Sequence, residues 1–526
     1  MATEPVAVPT DPEVTSATGR DAGEHAHLSP QPNSARGAAV NALAVATVAV
    51  STGGQVALYL AEFGATHRTD GLIAAFAVYS LMVVVGQLMR TTAVPVLSRV
   101  HGSGAQIAFG WAVASLAVAV AIVCAAVAEP LGHVLAHASG PAGRRIAVAS
   151  LYVLAPAMGL QIAGAGLAVK GAVSGRIEQV AFAYMASALA GLVAFFAVRG
   201  AAQEVTLAWT MLTSSVVLTV GLALGTRFRP ARPPRGSRVR DSAIAIAGSL
   251  PLPACFIVMY PLTLALLPHQ PAGQITLFGL AYGACSYLVG FTGQALSMTD
   301  AVVMSRQHDG GVARRRALVT RSFRYSLLVA AAGVGVAAVC GSPVLGRLLP
   351  ATSDPTHSLF SSDVLWLIPW LIATLALWAV IPAVLSATGG LLQRRQGAVV
   401  GGLLVIHVIA MLVGREIGGI HAMIVGMAVA PALFVAAGLH TTVPGAARDV
   451  SVSTAVTIVG AAVSFGIPYA IGRTVAGTGA VVSVACAIVG VAVYGVVIAT
   501  CDRSARATIV SLLRRHGTAA TAARDA

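Results

Sequence analysis

The sequence predicts an all-α polytopic membrane protein: about 14 transmembrane helices, in two pseudo-symmetric six-helix lobes plus two extra C-terminal helices. Three observations carry this reading. Of the 526 residues, 57% are hydrophobic and only 10% charged, whereas soluble domains carry roughly 25% charged residues. Runs of about 20 apolar residues, the length that crosses a bilayer core, recur along almost the whole chain. They do not alternate apolar and polar residues as barrel strands do. Finally, the basic residues concentrate in every second inter-run segment.

The runs place helices at about 38–62, 71–98, 104–128, 146–170, 178–198, 205–226, 242–267, 273–303, 323–346, 361–386, 397–413, 418–439, 452–472 and 477–500. With the N-terminus inside, 26 of the 33 Lys and Arg residues fall on the cytoplasmic side and 7 outside (Arg68, Arg144, Arg145, Arg199, Arg347, Arg415 and Arg473). Both termini are therefore expected in the cytoplasm. The net charge of +14 is explained by this topology, and no nucleic-acid partner is expected.

In order along the chain, residues 1–36 are rich in Pro, Ser, Thr and Ala and read as a disordered cytoplasmic tail. No basic segment precedes an apolar one there, so it is not a cleaved signal peptide. Residues 37–226 form the first lobe, 227–241 a basic, Pro-rich linker, 242–440 the second lobe, 441–500 the last two spans, and 501–526 a basic tail. The linker reads as a hinge on anionic headgroups. The loop Arg306 to Arg324 reads as an interfacial amphipathic helix entering the ninth span, and the tail carries a similar short segment.

Two landmarks recur. Val94-Pro95-Val96-Leu97-Ser98-Arg99 returns as Val302-Val303-Met304-Ser305-Arg306, 207 residues later. Pro156 of the fourth span matches Pro369 of the tenth at an offset of 213. An even number of helices per half puts the halves in parallel orientation, a transporter device with the substrate site between them.

Polar residues inside apolar runs face protein or water rather than lipid. Asp70 opens the second span beside Thr69, as a helix N-cap or as a gate or a cation or proton site. Arg90 is an interfacial anchor, or it faces a cavity with Gln87 and holds a phosphate. Asn41 and Gln55 on the first span, Gln161 on the fourth and Trp370 on the tenth are further cavity candidates. Asp300 pairs with the basic loop or serves ion coupling. His407 forms a helix–helix hydrogen bond or carries a proton. Lys170, the single lysine, reads as an interfacial anchor. Glu62 and Arg68 flank one outer turn and are expected to pair across it. Pro156, Pro261, Pro369 and Pro382 are expected to break helices in mid-span.

The six Cys residues are scattered through apolar runs without metal-ligand spacing, as small buried hydrophobes. No metal, cofactor or paired catalytic carboxylates are expected. No Gly-rich nucleotide loop with Lys occurs, so the chain does not itself use ATP, and an enzyme is not expected.

Phe63-Gly64, Thr69-Asp70, Ala75-Phe76, Pro95-Val96-Leu97, the segment Leu151 to Gly175, and Ser305-Arg306 through Arg321 to Leu345-Gly346-Arg347-Leu348-Leu349 occur in the order and spacing of a known family. Over roughly 38–440 the chain resembles the MOP exporter superfamily, and within it the lipid II and polysaccharide flippases. The resemblance implies two lobes around a central cavity, alternating access, and a lateral gate for a lipid tail between the first and eighth spans. It implies a lipid-linked saccharide or similar amphipathic substrate, contact with membrane lipids, coupling to an ion or the membrane potential, and a monomer. The second possibility is an exporter of a small amphipathic drug or natural product. The lipid II flippases line their cavity with Arg on the first, second and eighth spans. Here those places hold Asn41 and Gln55, Val83-Val84-Val85, and Tyr282-Gly283-Ala284-Cys285-Ser286, which suits a less charged substrate.

Overall fold

The computed structural model describes residues 32–99, 103–226, 251–294, 296–297, 300, 311–349, 359–388, 390–477 and 479–501, and among them it contains helices and no strand. The first lobe holds α1 (Pro32–Phe63), α2 (His67–Arg99), α3 (Ser103–Ala126), the short α4 (Ala128–Leu135), α5 (Gly140–Val173), α6 (Ile177–Ala202) and α7 (Thr206–Gly225). The second holds α8 (Pro251–Leu266), α9 (Gln274–Val289), α10 (Val312–Leu348), α11 (Leu359–Trp366), α12 (Ile368–Thr388), α13 (Gly390–Gly426) and α14 (Val429–Thr442). Two further helices follow, α15 (Ala446–Ala476) and α16 (Ala480–Cys501). Ten stretches among the described residues are long and apolar enough to cross a membrane.

Several turns are set by backbone that only certain residues tolerate. Gly64, at φ +70°, reverses the chain between α1 and α2. One apolar stretch, Glu178–Gly225, is two helices folded back at Gln203, which takes φ +47°. Likewise α13 doubles back at Gly418 and Gly419. A Cβ on Gly414 would lie 2.9 Å from the backbone of Ala422, so the two arms of this hairpin touch. The turn falls between the eleventh and twelfth predicted spans.

The tenth predicted span, 361–386, is divided. The chain breaks at Leu367, and the apolar span proper is Ile368–Leu385, preceded by the separate α11. Pro369, which has no N–H to donate, accounts for this break as expected, while Leu367 N–H still donates to Asp363 O at 3.0 Å and Leu371 N–H to Leu367 O at 2.9 Å across it. Pro156, Pro261 and Pro382 do lie inside helices, as do Pro343 and Pro468. The expected amphipathic helix at 306–324 is, from Val312 on, the first turns of α10 itself. At 37 residues this helix is about 55 Å long, beyond the roughly 30 Å of a bilayer core. The basic linker, residues 306–310 and the C-terminal tail lie outside the described residues, as does the N-terminal tail up to residue 31.

Each lobe packs on a central helix. In the first, α5 runs against α2, α3 and α7, and α6 against α1 and α7. In the second, α12 packs on α10 and α14, and α13 on α8. The last two spans are fastened to α10: Phe465, Cys486, Tyr494 and Ile498 bury against Val339. Arg316 pairs with Asp449 at 2.8 Å across the starts of α10 and α15. The lobes meet where α2 touches α8 and α9. That end of the molecule also carries the α6–α7 turn, the end of α10, α11 and the α13 hairpin.

Candidate functional site: the lobe interface

Asp70 sits in the first turn of α2 and is completely buried. It does not cap its own helix. His67, three residues before it, places Nδ1 3.8 Å from Asp70 Oδ2, but the carboxylate's hydrogen-bond donors are 203 to 206 residues away, at the start of α9. Oδ2 accepts from the Gly273 N–H at 2.9 Å, and Oδ1 accepts from the Thr276 N–H at 2.8 Å and the Thr276 hydroxyl at 2.7 Å. The first N–H groups of a helix have no partner within it, and they carry partial positive charge. A carboxylate from the first lobe thus caps α9, a helix of the second. Gly273 is required here: it takes φ +82°, and a Cβ would lie 2.6 Å from that of Ala65.

Thr69 organises the turn beneath. Its hydroxyl accepts from the Thr66 N–H at 2.7 Å, donates to Thr66 O at 2.8 Å and lies 3.2 Å from the Thr276 hydroxyl oxygen. Gln270 adds a further link, its N–H donating to Ala138 O at 3.4 Å. Around this latch, Arg68 pairs with Glu204, and Glu62 lies 4.0 Å from Arg199. The expected Glu62–Arg68 pair is not formed: Gly64 reverses the chain between them, and each meets the α6–α7 region instead.

Below the latch the lobes separate into two polar interiors. In the first, Gln161 donates to the Tyr79 hydroxyl at 2.8 Å and to Ser215 Oγ at 3.0 Å, joining α5, α2 and α7. Gln55, buried, donates to Ala188 O at 3.4 Å, tying α1 to α6. In the second, Tyr260 and Tyr282 stack at 3.7 Å, and Trp370 lies 4.8 Å from Tyr282. Trp370 is buried within this aromatic group rather than lining an open space. His407 Nε2 is 3.0 Å from Met259 O and 3.1 Å from Thr263 Oγ1, a helix–helix hydrogen bond between α13 and α8. Asp300, also buried, accepts from Arg321 at 3.2 Å and from Ser322. Its partner is thus the start of α10. Tyr287 of α9 hydrogen-bonds Thr52 of α1, so the first and eighth spans touch one another. Each of these two residues lies 11 positions from Phe63 or Thr276, about 17 Å below the latch.

Asn41, Gln87 and Arg90 belong to the backbones of α1 and α2, but their side chains lie outside the described residues. Lys170 occupies the last turn of α5. An apolar groove of about 680 Å³ runs along the side of the interface, lined by Val50, Gly54 and Leu58 of α1, Leu189 and Phe196 of α6, and Leu348 of α10. Among the described residues no group of three or more His, Cys, Asp or Glu is placed to hold a metal.

Two solved structures share the fold. "Lipid II flippase MurJ, inward closed conformation" superposes with a TM-score of 0.67 at 10% identity, over 89% of this chain and 99% of that one. An inward-facing multidrug resistance MATE family transporter of the MOP superfamily gives 0.54 at 12%, over 76% and 94%. The chain has the MOP-superfamily fold. No family model and no curated protein matches the sequence. Within that fold the latch joins the second and eighth spans, α2 and α9.

Proposed function

We propose that this chain is a flippase-type transporter. It moves a lipid-linked saccharide or similar cell-envelope precursor across the cytoplasmic membrane by alternating access, and it is not an enzyme. The observation that carries the reading is the Asp70 latch. It joins two lobes of MOP fold at one end through a buried carboxylate on a helix N-terminus, a contact that must break for the lobes to rock apart. A charged or sugar-bearing head cannot cross hydrocarbon unaided, since even one charge there costs several kcal/mol. The head passes between the lobes, while the apolar groove beside α1 takes the chain that stays in lipid. The Thr52–Tyr287 contact between the first and eighth spans closes the side of that path.

The topology supports an orientation with the latch end outside, because 7 of the 33 basic residues lie at that end. The protein works as a monomer, and its energy comes from an ion or the membrane potential. The second reading is export of a small amphipathic drug or natural product. It is favoured by the neutral interior built from Gln161, Tyr79 and Ser215, and by the likeness to a MATE structure. Depletion separates the two: a flippase leaves lipid-linked intermediates accumulating in the inner leaflet. Unchanged intermediates with a raised intracellular drug level would overturn the first reading in favour of the second.

A further inference from the structure

At the latch end of the second lobe a second carboxylate is fully buried, and nothing satisfies it. Asp363, on α11, has zero exposure, and neither of its side-chain oxygens has a hydrogen-bond partner. The nearest ionisable group is His421, just past the α13 hairpin, with Nε2 3.9 Å from Asp363 Oδ1. That nitrogen too has no hydrogen-bond partner. The ring rests against Trp366, centroids 5.3 Å apart, while the side chain is 36% exposed.

Among the described residues the surroundings supply no other counter-charge. Helices α9, α10, α12 and α13 pack on α11. Their titratable groups toward this end are Tyr282 and Cys285 on α9, Cys340 and Arg347 on α10, and Arg415, Glu416 and His421 on α13. α12 contributes none, and Arg347, Arg415 and Glu416 are exposed. Among the described residues His421 is the one basic group paired with Asp363. The position is fixed from the other side: Ser361 and Ser342 exchange hydrogen bonds at 3.0 and 3.1 Å, and Phe360 covers Gly341. A buried carboxylate without donors is costly as an anion, and one carboxylate and one imidazole are too few ligands for a metal cation. A proton is what two such atoms can hold.

We infer that Asp363 and His421 form a proton-binding pair, the buried carboxyl storing the proton and the partly exposed imidazole connecting it to water. A proton from solvent adds to His421 Nε2. A small side-chain rotation closes the 3.9 Å gap, and the proton passes to Asp363 Oδ1. The imidazolium becomes neutral imidazole and the carboxylate becomes a carboxylic acid; release runs the reverse path. Burial pushes the carboxyl up to about 7, so it changes state near neutral pH. Coupling of this proton to lobe movement rests on the transport reading above. The proton site does not, and its test reads protonation alone.

That test is infrared spectroscopy of the full-length protein in lipid nanodiscs, titrated from about pH 5 to about pH 9. A protonated-carboxyl band is expected to vanish with a midpoint near 7. Asp363→Asn should remove the titrating band. His421→Gln should keep the band but slow its appearance after a downward pH jump, because the imidazole is what connects the buried carboxyl to water. A titrating band that survives in Asp363→Asn overturns the proposal. So does an unchanged rate in His421→Gln, or a midpoint that follows sodium concentration. If Asp363→Asn does not fold, the wild-type titration and the His421→Gln rate decide.

Discussion

Asp70 and Asp363 are both completely buried, at the same end of the molecule, one in each lobe. Asp70 accepts from two backbone N–H groups and a hydroxyl, whereas Asp363 accepts from none. The difference teaches what burial alone does not. A buried carboxylate aimed at a helix N-terminus finds donors for both oxygens and works as a fastener. One aimed at apolar packing and a single imidazole is stable as an acid and works as a proton store.

The sharpest way to break this comparison is Asp70→Asn. The new amide turns an N–H toward a backbone N–H, so at least one of the Gly273 and Thr276 donors is orphaned. The closed latch should lose about 3 kcal/mol or more. Spin-label distances between the starts of α2 and α9 should then show the lobes apart at that end. Unchanged distances would make the contact passive.

Asp363→Asn should act in the opposite direction, and only at higher pH. The folded-state carboxyl is raised from 3.8 to about 7. The folded protein therefore holds more protons than the unfolded chain between those values, and wild-type stability falls as pH rises through that window. Above it, the substitution should stabilise by up to about 4 kcal/mol; near pH 4 it should change little. Thermal melts at both pH values check the sign, and a loss of stability at high pH would place Asp363 with Asp70.

Smaller effects refine the picture. Thr276→Val removes one donor to Asp70 and the link to Thr69 but leaves the backbone donor, so about 1–2 kcal/mol should be lost from the latch. Tyr287→Phe removes one hydrogen bond between the first and eighth spans, about 1 kcal/mol. It should speed side access to the interface, read by cross-linking across α1 and α9, without altering the melts.

Much of the fold was legible because bilayer physics writes it plainly: span length, basic loops and glycine turns each leave a local trace. Asp70 was legible as a polar residue at a helix start, but its partners were not, since a residue 206 positions away leaves no mark in local spacing. Gln161 stood out as a polar group in an apolar run, yet Tyr79 and Ser215, which it joins, look like ordinary helix residues. Asp363 went unread because it opens an apolar run, where an acid reads as an N-cap. The break at Leu367 that sets it apart lies two residues before Pro369, whose missing N–H interrupts the helix. The Glu62–Arg68 pairing failed because sequence neighbours were divided by a turn and claimed by another helix.

The contact between Thr69 and Thr276 reaches further than its 3.2 Å. These residues are 207 positions apart, the same interval that relates Ser98-Arg99 to Ser305-Arg306. By that interval they are counterparts in the two halves. The residue after each differs: it is Asp70 in one half and Leu277 in the other. A second aspartate at Leu277, itself buried, would bring another carboxylate to a contact whose donors already serve one, so the pairing holds one acid and not two.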